Sequence, residues 1–301
     1  MSTTAEPPAG NATTYRFRIG GLRAVAVSDG QARFPAYPAY APNAEEAEVR
    51  AALREHGLDE REHLLNATSL LLLAPSGAVL LDAGAGSALG PGFGLLPAGL
   101  RSLGLTPDDV ATVHVTHAHL DHVGGLVDDD GQAVFRTARL SMARREWEHW
   151  TDPDLDLSAM PVDAEFREAF LTTARRALPP YAGRLALFED EAELAPGVTA
   201  TRTGVHTPGH SVVTVADGQE RLLVVGDLFH HEAFDLAHPH WCTAFDDDPH
   251  GMPQLRRDLL GRAADAGDLV FAYHAPFPGL GRVFRQGDGF RFAASPWLVV
   301  P

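Results

Sequence analysis

The sequence predicts an α/β fold in which two β-sheets are packed between helices. Three observations predict it. A β-rich first half leads into a helix and is followed by a similar β-then-helix second half. The apolar runs are of strand length and are bounded by turn residues. Gly and Pro number 29 and 22 among 301 residues, enough for many turns without making the chain low-complexity. No internal repeat is detectable, and periodicity alone does not define the order of the strands.

The elements follow in order. Residues 1–14 are small and polar and are expected to form a disordered tail. Tyr15–Ile19 and Leu22–Ser28 read as strands joined by a Gly20-Gly21 hairpin turn. Residues 30–63 read as an insertion covering something else. They hold an aromatic, proline-rich loop (Phe34, Tyr37, Tyr40) and a charged helix over Ala44–His56 closed by Gly57. Leu64–Ala74 and Ala78–Leu81 are apolar strands around Pro75-Ser76-Gly77. A Gly-rich stretch from Gly84 to Gly94 leads into a helix over Leu95–Leu103, and Val110–Thr116 is a strand. Glu146–Trp150 and Val162–Leu178 read as helices, and Val198–Thr203, Ser211–Val215 and Leu222–Val225 as strands. A helix over Met252–Ala264 precedes a strand, Leu269–Phe271, that leads to His274. Residues 15–301 are expected to make one domain.

Composition narrows the function. The apolar fraction is 45% and the charged fraction 21%, the balance of a soluble globular chain. With 24 basic against 40 acidic residues the net charge is −16, which opposes a nucleic-acid partner. One cysteine, Cys242, excludes an internal disulfide and a cysteine-based zinc finger. No basic segment followed by an apolar core opens the chain, and no apolar run would span a bilayer, so the expected location is cytoplasmic. Fifteen histidines is a high count, and their placement carries the functional reading.

The segment Val113–Gly125 reads V-H-V-T-H-A-H-L-D-H-V-G-G, so His117, His119, Asp121 and His122 fall within six positions at the end of an apolar strand. In extended or turn geometry, side chains at i and i+2 leave on the same side. Imidazoles and a carboxylate are ligands that zinc prefers. A polar loop that happens to hold histidines is the bland alternative, and four such residues together weigh against it. Three further segments put ligand chemistry at the edges of strands: Thr207-Pro208-Gly209-His210 at the start of one, and Gly226-Asp227 and Tyr273-His274 at the ends of two others. Each alone reads more readily as a cap or a surface residue; their number and order raise them.

H-x-H-x-D-H, T-P-G-H, a strand ending G-D and a strand ending in histidine together resemble the metallo-β-lactamase superfamily, from about residue 15 to 293. The resemblance implies an αββα sandwich of two mixed sheets with two metals at the sheet edge. It implies that His117, His119 and His210 hold one metal, that Asp121, His122 and His274 hold the other, and that Asp227 bridges them. It also places Asp82, in Leu81-Asp82-Ala83-Gly84, beside the metals as a partner for their ligands. Zinc β-lactamases of the commonest type carry cysteine where this chain has Asp227 and lack a histidine at His122. Flavodiiron proteins carry glutamate in the motif. Glyoxalase II enzymes add a helical glutathione domain, whereas 27 residues follow His274 (301 less 274). The segments Gly92-Phe93-Gly94, H-T-P-G-H, G-D-L and H-A-P-F-P-G-L-G at 274–281 are most similar to the methyl parathion hydrolase branch, which also resembles dizinc lactonases and aryl esterases.

The expected activity is therefore a dinuclear hydrolase that opens a lactone or ester of a small apolar molecule, through a hydroxide bridging the two metals. The expected metal is zinc, with manganese, iron or cobalt compatible with the same donors. Asp121 and Asp227 are the expected catalytic carboxylates, Asp121 also carrying a proton to the leaving group. An organophosphate triesterase is the alternative; a non-catalytic metabolite sensor and a nuclease stand behind it. Phe34, Tyr37, Tyr40, Phe93, Trp147, Trp150 and Phe229 are the expected substrate contacts. A homodimer is expected by resemblance, with no membrane partner.

Overall fold

A computed structural model describes residues 12–296. The expected tail lies outside the described residues up to position 11, and its end does not stay loose. Thr14 opens strand β1 (Thr14–Ile19), which pairs antiparallel with β2 (Leu22–Pro35) in the expected register, Ile19 opposite Leu22. β2 runs on past Ser28, with a bulge between Ser28 and Gly30, and pairs along β3 (Glu62–Ala74). Residues 30–35 thus belong to the sheet. The aromatic loop and helix α1 (Glu46–Glu55) fill the connection between the two long strands.

β4 (Gly77–Leu81) pairs antiparallel with β3, and the Gly-rich stretch then leads to α2 (Leu96–Ser102). β5 (Val110–His114) pairs parallel with β4, and a turn delivers the one-turn helix α3 (Leu120–Val123). β6 (Arg139–Ala143) runs directly into α4 (Arg144–Thr151), and α5 (Ala164–Ala177) precedes β7 (Leu185–Phe188). β6 and β7 complete a seven-stranded mixed sheet in simple order β1 to β7.

The second half repeats the plan. β8 (Glu191–Ala195), β9 (Val198–Arg202), β10 (Ser211–Asp217) and β11 (Glu220–Val224) form an antiparallel meander. α6 (Met252–Ala266) crosses over, ends at Gly267 in left-handed conformation (φ 69°), and returns the chain as β12 (Leu269–Phe271), parallel to β11. A last hairpin, β13 (Leu280–Gln286) with β14 (Gly289–Ala294), closes the second seven-stranded sheet. This is the expected sandwich of two mixed sheets.

Alternation of side chains builds the layers. Along β2 and β3, Ala24, Ala26, Leu70 and Leu72 face the second sheet, where Val213, Val215, Leu222 and Phe271 meet them. Val25, Val27 and Leu71 point the other way, onto a core shared with α2 and α5. Both faces are covered, which is why Leu70–Leu73 is an unbroken apolar run rather than an alternating one. α6 covers the outer face of the second sheet through Met252, Leu260 and Ala263. At one end the sheets are tied by Gly21 N–H donating to Asp217 Oδ2 at 2.7 Å. At the other end the carboxyl ends of β4, β5, β11 and β12 and the entry to β10 come together, and every ligand candidate lies there.

Candidate metal centre and its cavity

Each strand end delivers one part of the centre. β5 ends at His114, and the next turn carries His117 and His119, with Asp121 and His122 on α3. β11 ends at Val224 and Gly226 turns the chain at φ 53°; a Cβ there would lie 2.6 Å from His210 Nε2, so glycine is required to bring Asp227 in. β12 leads to His274. All these side chains are buried, Asp121 being the most accessible.

Among the described residues, three overlapping groups lie close enough to hold a cation: His117, His119, His206 and Asp227; Asp121, His122 and His274; and Asp227, His230 and His274. His122 Nε2 is 3.2 Å from Asp227 Oδ1, and His274 Nε2 is 3.2 Å from Asp227 Oδ2 and 3.5 Å from Asp121 Oδ2. His119 Nδ1 faces His206 Nε2 at 3.1 Å, and His206 Nε2 is 3.5 Å from Asp227 Oδ2. Asp227 thus touches both halves of the cluster.

Two features fit this cluster to divalent metals. His117 Nε2, His122 Nε2 and Asp227 Oδ1 are buried and have no hydrogen-bond partner. Buried polar atoms without a partner are costly, and cations bound among them would satisfy them. The outward nitrogens are meanwhile held: His122 Nδ1 by Asp82 Oδ2 at 2.9 Å, His206 Nδ1 by Asp246 Oδ1 at 2.7 Å, and His274 Nδ1 by the Asn66 carbonyl at 2.8 Å. Such bonds set the ring orientation and leave the inward nitrogen as the donor for a metal.

Electrostatics point the same way. Burial, with the neighbouring His122, holds His117 well below the ordinary histidine range, and burial with His206 does so for His119; both are neutral lone-pair donors. Burial opposes charge on His122 too, yet Asp227, Asp121 and Asp82 outweigh it and hold it well above that range: this spot draws a cation. Burial would raise Asp227, but His274, His122, His117 and His230 outweigh it and keep the carboxyl well below the usual range.

The three groups include His206 and not His210, four residues later, which is fully buried beside them with its ring 5.6 Å from that of His206 and 5.4 Å from that of His117. His210 directly precedes β10. Its carbonyl accepts from Thr203 N–H, and its Nε2 accepts from the Asp227 backbone N–H at 3.2 Å. It is tied to the sheet edge beside Asp227, while His206, on the loop before it, turns Nε2 toward His119 and Asp227. Asp82 holds His122 Nδ1 and accepts from Thr116 N–H, at a φ of 62° that is rare outside glycine.

A cavity of about 570 Å³ opens above the centre. His119, Asp121, Asp227, His230 and His274 line its floor. Phe34 at the end of β2 and Tyr37 and Tyr40 from the connection to β3 wall one side, and Phe166, Phe170 and Phe245 the other. The remaining expected contacts do not reach it. Phe93 packs on Ala67, Ala85 and Tyr273 under the floor. Trp150 is buried in the α5 core, its indole N–H donating to Glu146 Oε1 at 2.8 Å, and Trp147 lies against that same core. Phe229 points into the α6 core and a smaller cleft on the other side. Aromatic character alone carries no information about which face a residue occupies, and these four pack against the interior.

Sequence reasoning missed His206, the wall residues Phe166, Phe170 and Phe245, and two carboxylates. His230 Nε2 sits 3.2 Å from Asp227 Oδ2, and its Nδ1 is held by Asp235 Oδ2 at 3.0 Å beside the buried Arg256. Asp246, in an aspartate run that reads as a solvated loop, is buried and holds His206. The signal for His206 was present: V-H-T-P-G-H offers two histidines, and the one abutting the strand is the less free.

Comparisons with known proteins agree with this geometry. Among curated proteins none matches significantly. Among solved structures the chain is similar to AidC, a dizinc quorum-quenching lactonase in complex with the product N-hexanoyl-L-homoserine. The TM-score is 0.89 at 24% identity, over 96% of this chain and 100% of that one. It is similar to the hydrolase AbOPH of the beta lactamase superfamily, with TM-score 0.85 at 24% identity over 97% and 100%. A probable metal-dependent hydrolase from Staphylococcus aureus follows, with TM-score 0.77 at 22% identity over 94% and 100%. At these identities the likeness is one of fold. A family model described as the metallo-beta-lactamase superfamily matches residues 64–274, through both sheets and every ligand segment, and the chain belongs to that superfamily.

Proposed function

We propose that this metal-dependent hydrolase opens a lactone or ester of a small, neutral, largely apolar molecule with two divalent cations. The observation that carries the reading is a floor of buried imidazoles and carboxylates beneath an aromatic-walled cavity. His117, His119 and His206 would hold one cation and Asp121, His122 and His274 the other, with Asp227 in reach of both groups. This nitrogen and oxygen set suits zinc, and also manganese, iron and cobalt. Such cations would supply Lewis acidity and a water of lowered pKa, from 15.7 to about 7.

The chain's own residues do the rest. The aromatic walls bind the apolar part of the substrate and exclude water. Asp121, the most accessible carboxylate of the floor, takes the proton of the attacking water and returns it to the leaving oxygen. Tyr40 is held as a protonated phenol by burial and by the nearby Asp121 and Asp227, so it donates to the substrate. Asp163 and Glu165 at the mouth, with the net charge of −16, disfavour anionic substrates.

A product complex of AidC contains an acylated homoserine, an apolar chain on a polar head, and a cavity of this character fits such a molecule. The test is a panel of acyl-homoserine lactones, aryl esters and paraoxon-like triesters assayed on metal-loaded protein. Turnover of lactones or esters, lost on chelation and restored by metal, is expected. Triester turnover far above both overturns the carbonyl assignment.

A further inference from the structure

α4 is a short helix that supplies no ligand candidate; its Trp150 ring meets His119 edge-on at 5.6 Å, and another of its side chains lies between the two loops that carry candidate ligands. Glu146 is fully buried. Its Oε1 accepts from Ala118 N–H at 2.7 Å and from the Trp150 indole at 2.8 Å. Its Oε2 accepts from Thr207 Oγ1 at 2.7 Å and from Gly209 N–H at 2.8 Å. Ala118 separates His117 from His119, and Thr207 follows His206. The carboxylate therefore joins the backbone between two ligands of one cation to the loop bearing the third. Gly209 lets the helix come this close, since a Cβ there would lie 2.3 Å from Glu146 N. No such link reaches Asp121, His122 or His274.

We propose that Glu146 is a positioning residue that sets the spacing of His117, His119 and His206, and thereby the affinity of that cation alone. The proposal rests on the two-cation reading above. Only a carboxylate suits the place: it presents four donors with acceptors and carries no hydrogen of its own, whereas a glutamine amide would turn N–H against one pair of donors. Losing such outer contacts typically costs about 10–100-fold in metal affinity.

The experiment is a cobalt titration of the metal-free full-length chain, following absorption, with His206→Ala and His274→Ala spectra identifying which step belongs to which group. For Glu146→Gln the step of the His206 group weakens by about 10–100-fold, and the step of the His274 group stays within about threefold. Thr207→Val, which removes one of the four contacts, gives a smaller loss on the same step and serves if Glu146→Gln fails to fold. Two wild-type steps in the variant that folds, even with a lowered melting temperature, overturn the proposal, as does equal weakening of both steps. A wild-type chain that takes up no cobalt overturns the two-cation reading itself, and the proposal with it.

Discussion

At the scale of single residues, the centre is decided by which nitrogen of each imidazole is already occupied. His206 and His210 make the point, because both are buried and both come from one short motif. His206 spends Nδ1 on Asp246 and turns Nε2 toward His119 and Asp227. His210 has both nitrogens engaged, Nδ1 with Thr203 Oγ1 at 2.6 Å and Nε2 with the Asp227 backbone. His206→Ala is therefore expected to remove one of two cations and nearly all turnover. His210→Ala is expected to keep both ligand sets and weaken metal binding by about 10–100-fold, through a less firmly held Asp227. Metal content by elemental analysis after dialysis separates them; equal loss in both variants would sink the distinction.

At the scale of elements, the site is a set of strand ends finished by loops, and the connection between β2 and β3 supplies the aromatic wall. Tyr40 stacks on Phe234 at 5.9 Å and meets His230 edge-on at 5.6 Å, which anchors the loop over the floor. Tyr40→Phe keeps that packing and removes the donor. It is expected to lower kcat/KM about tenfold or more with metal content unchanged, while Phe34→Ala chiefly raises KM for long-chain substrates. Unchanged kinetics in Tyr40→Phe would show that the phenol does not reach the substrate.

The same scale explains what the sequence made legible. Strands buried on both faces, such as Leu70–Leu73 and Val224 with its neighbours, are apolar runs that announce themselves. β13 and β14 break their apolar residues with Arg282, Arg285 and Arg291, and β6, β7 and β8 are only four or five residues long, so none stood out. The H-x-H-x-D-H turn was readable because its ligands lie within six positions. Asp246 and His230 were not, since their role depends on what faces them across the fold. The aromatic wall failed for a further reason: sequence shows that Trp150 is aromatic and cannot show that its indole is turned to Glu146.

At the scale of the whole molecule, the two sheets meet at one buried histidine that no metal would use. His114 ends β5 in the first sheet and is fully buried. Its Nδ1 lies 3.3 Å from Ser141 Oγ on β6, and its Nε2 lies 3.1 Å from Ser211 Oγ, where β10 of the second sheet begins. Burial pushes it down to about 4, against the weaker opposing pull of Asp82. A histidine lowered in the folded state takes up a proton more readily when unfolded, so its contribution to stability is present above the unfolded value near 6.5 and is lost as pH falls toward 4. At 1.36 kcal/mol per unit, that window is worth on the order of 3 kcal/mol. Burial lowers His63 and His231 in the same sense, so the acid slope of the chain should be steeper than one histidine gives. Urea unfolding of the metal-free chain between pH 4 and 7 isolates the effect from metal loss. His114→Gln, which is uncharged throughout, is expected to be less stable at pH 7 but to lose about 3 kcal/mol less on acidification. Parallel stability curves for the two proteins would mean that His114 is charged, or solvated, between the sheets.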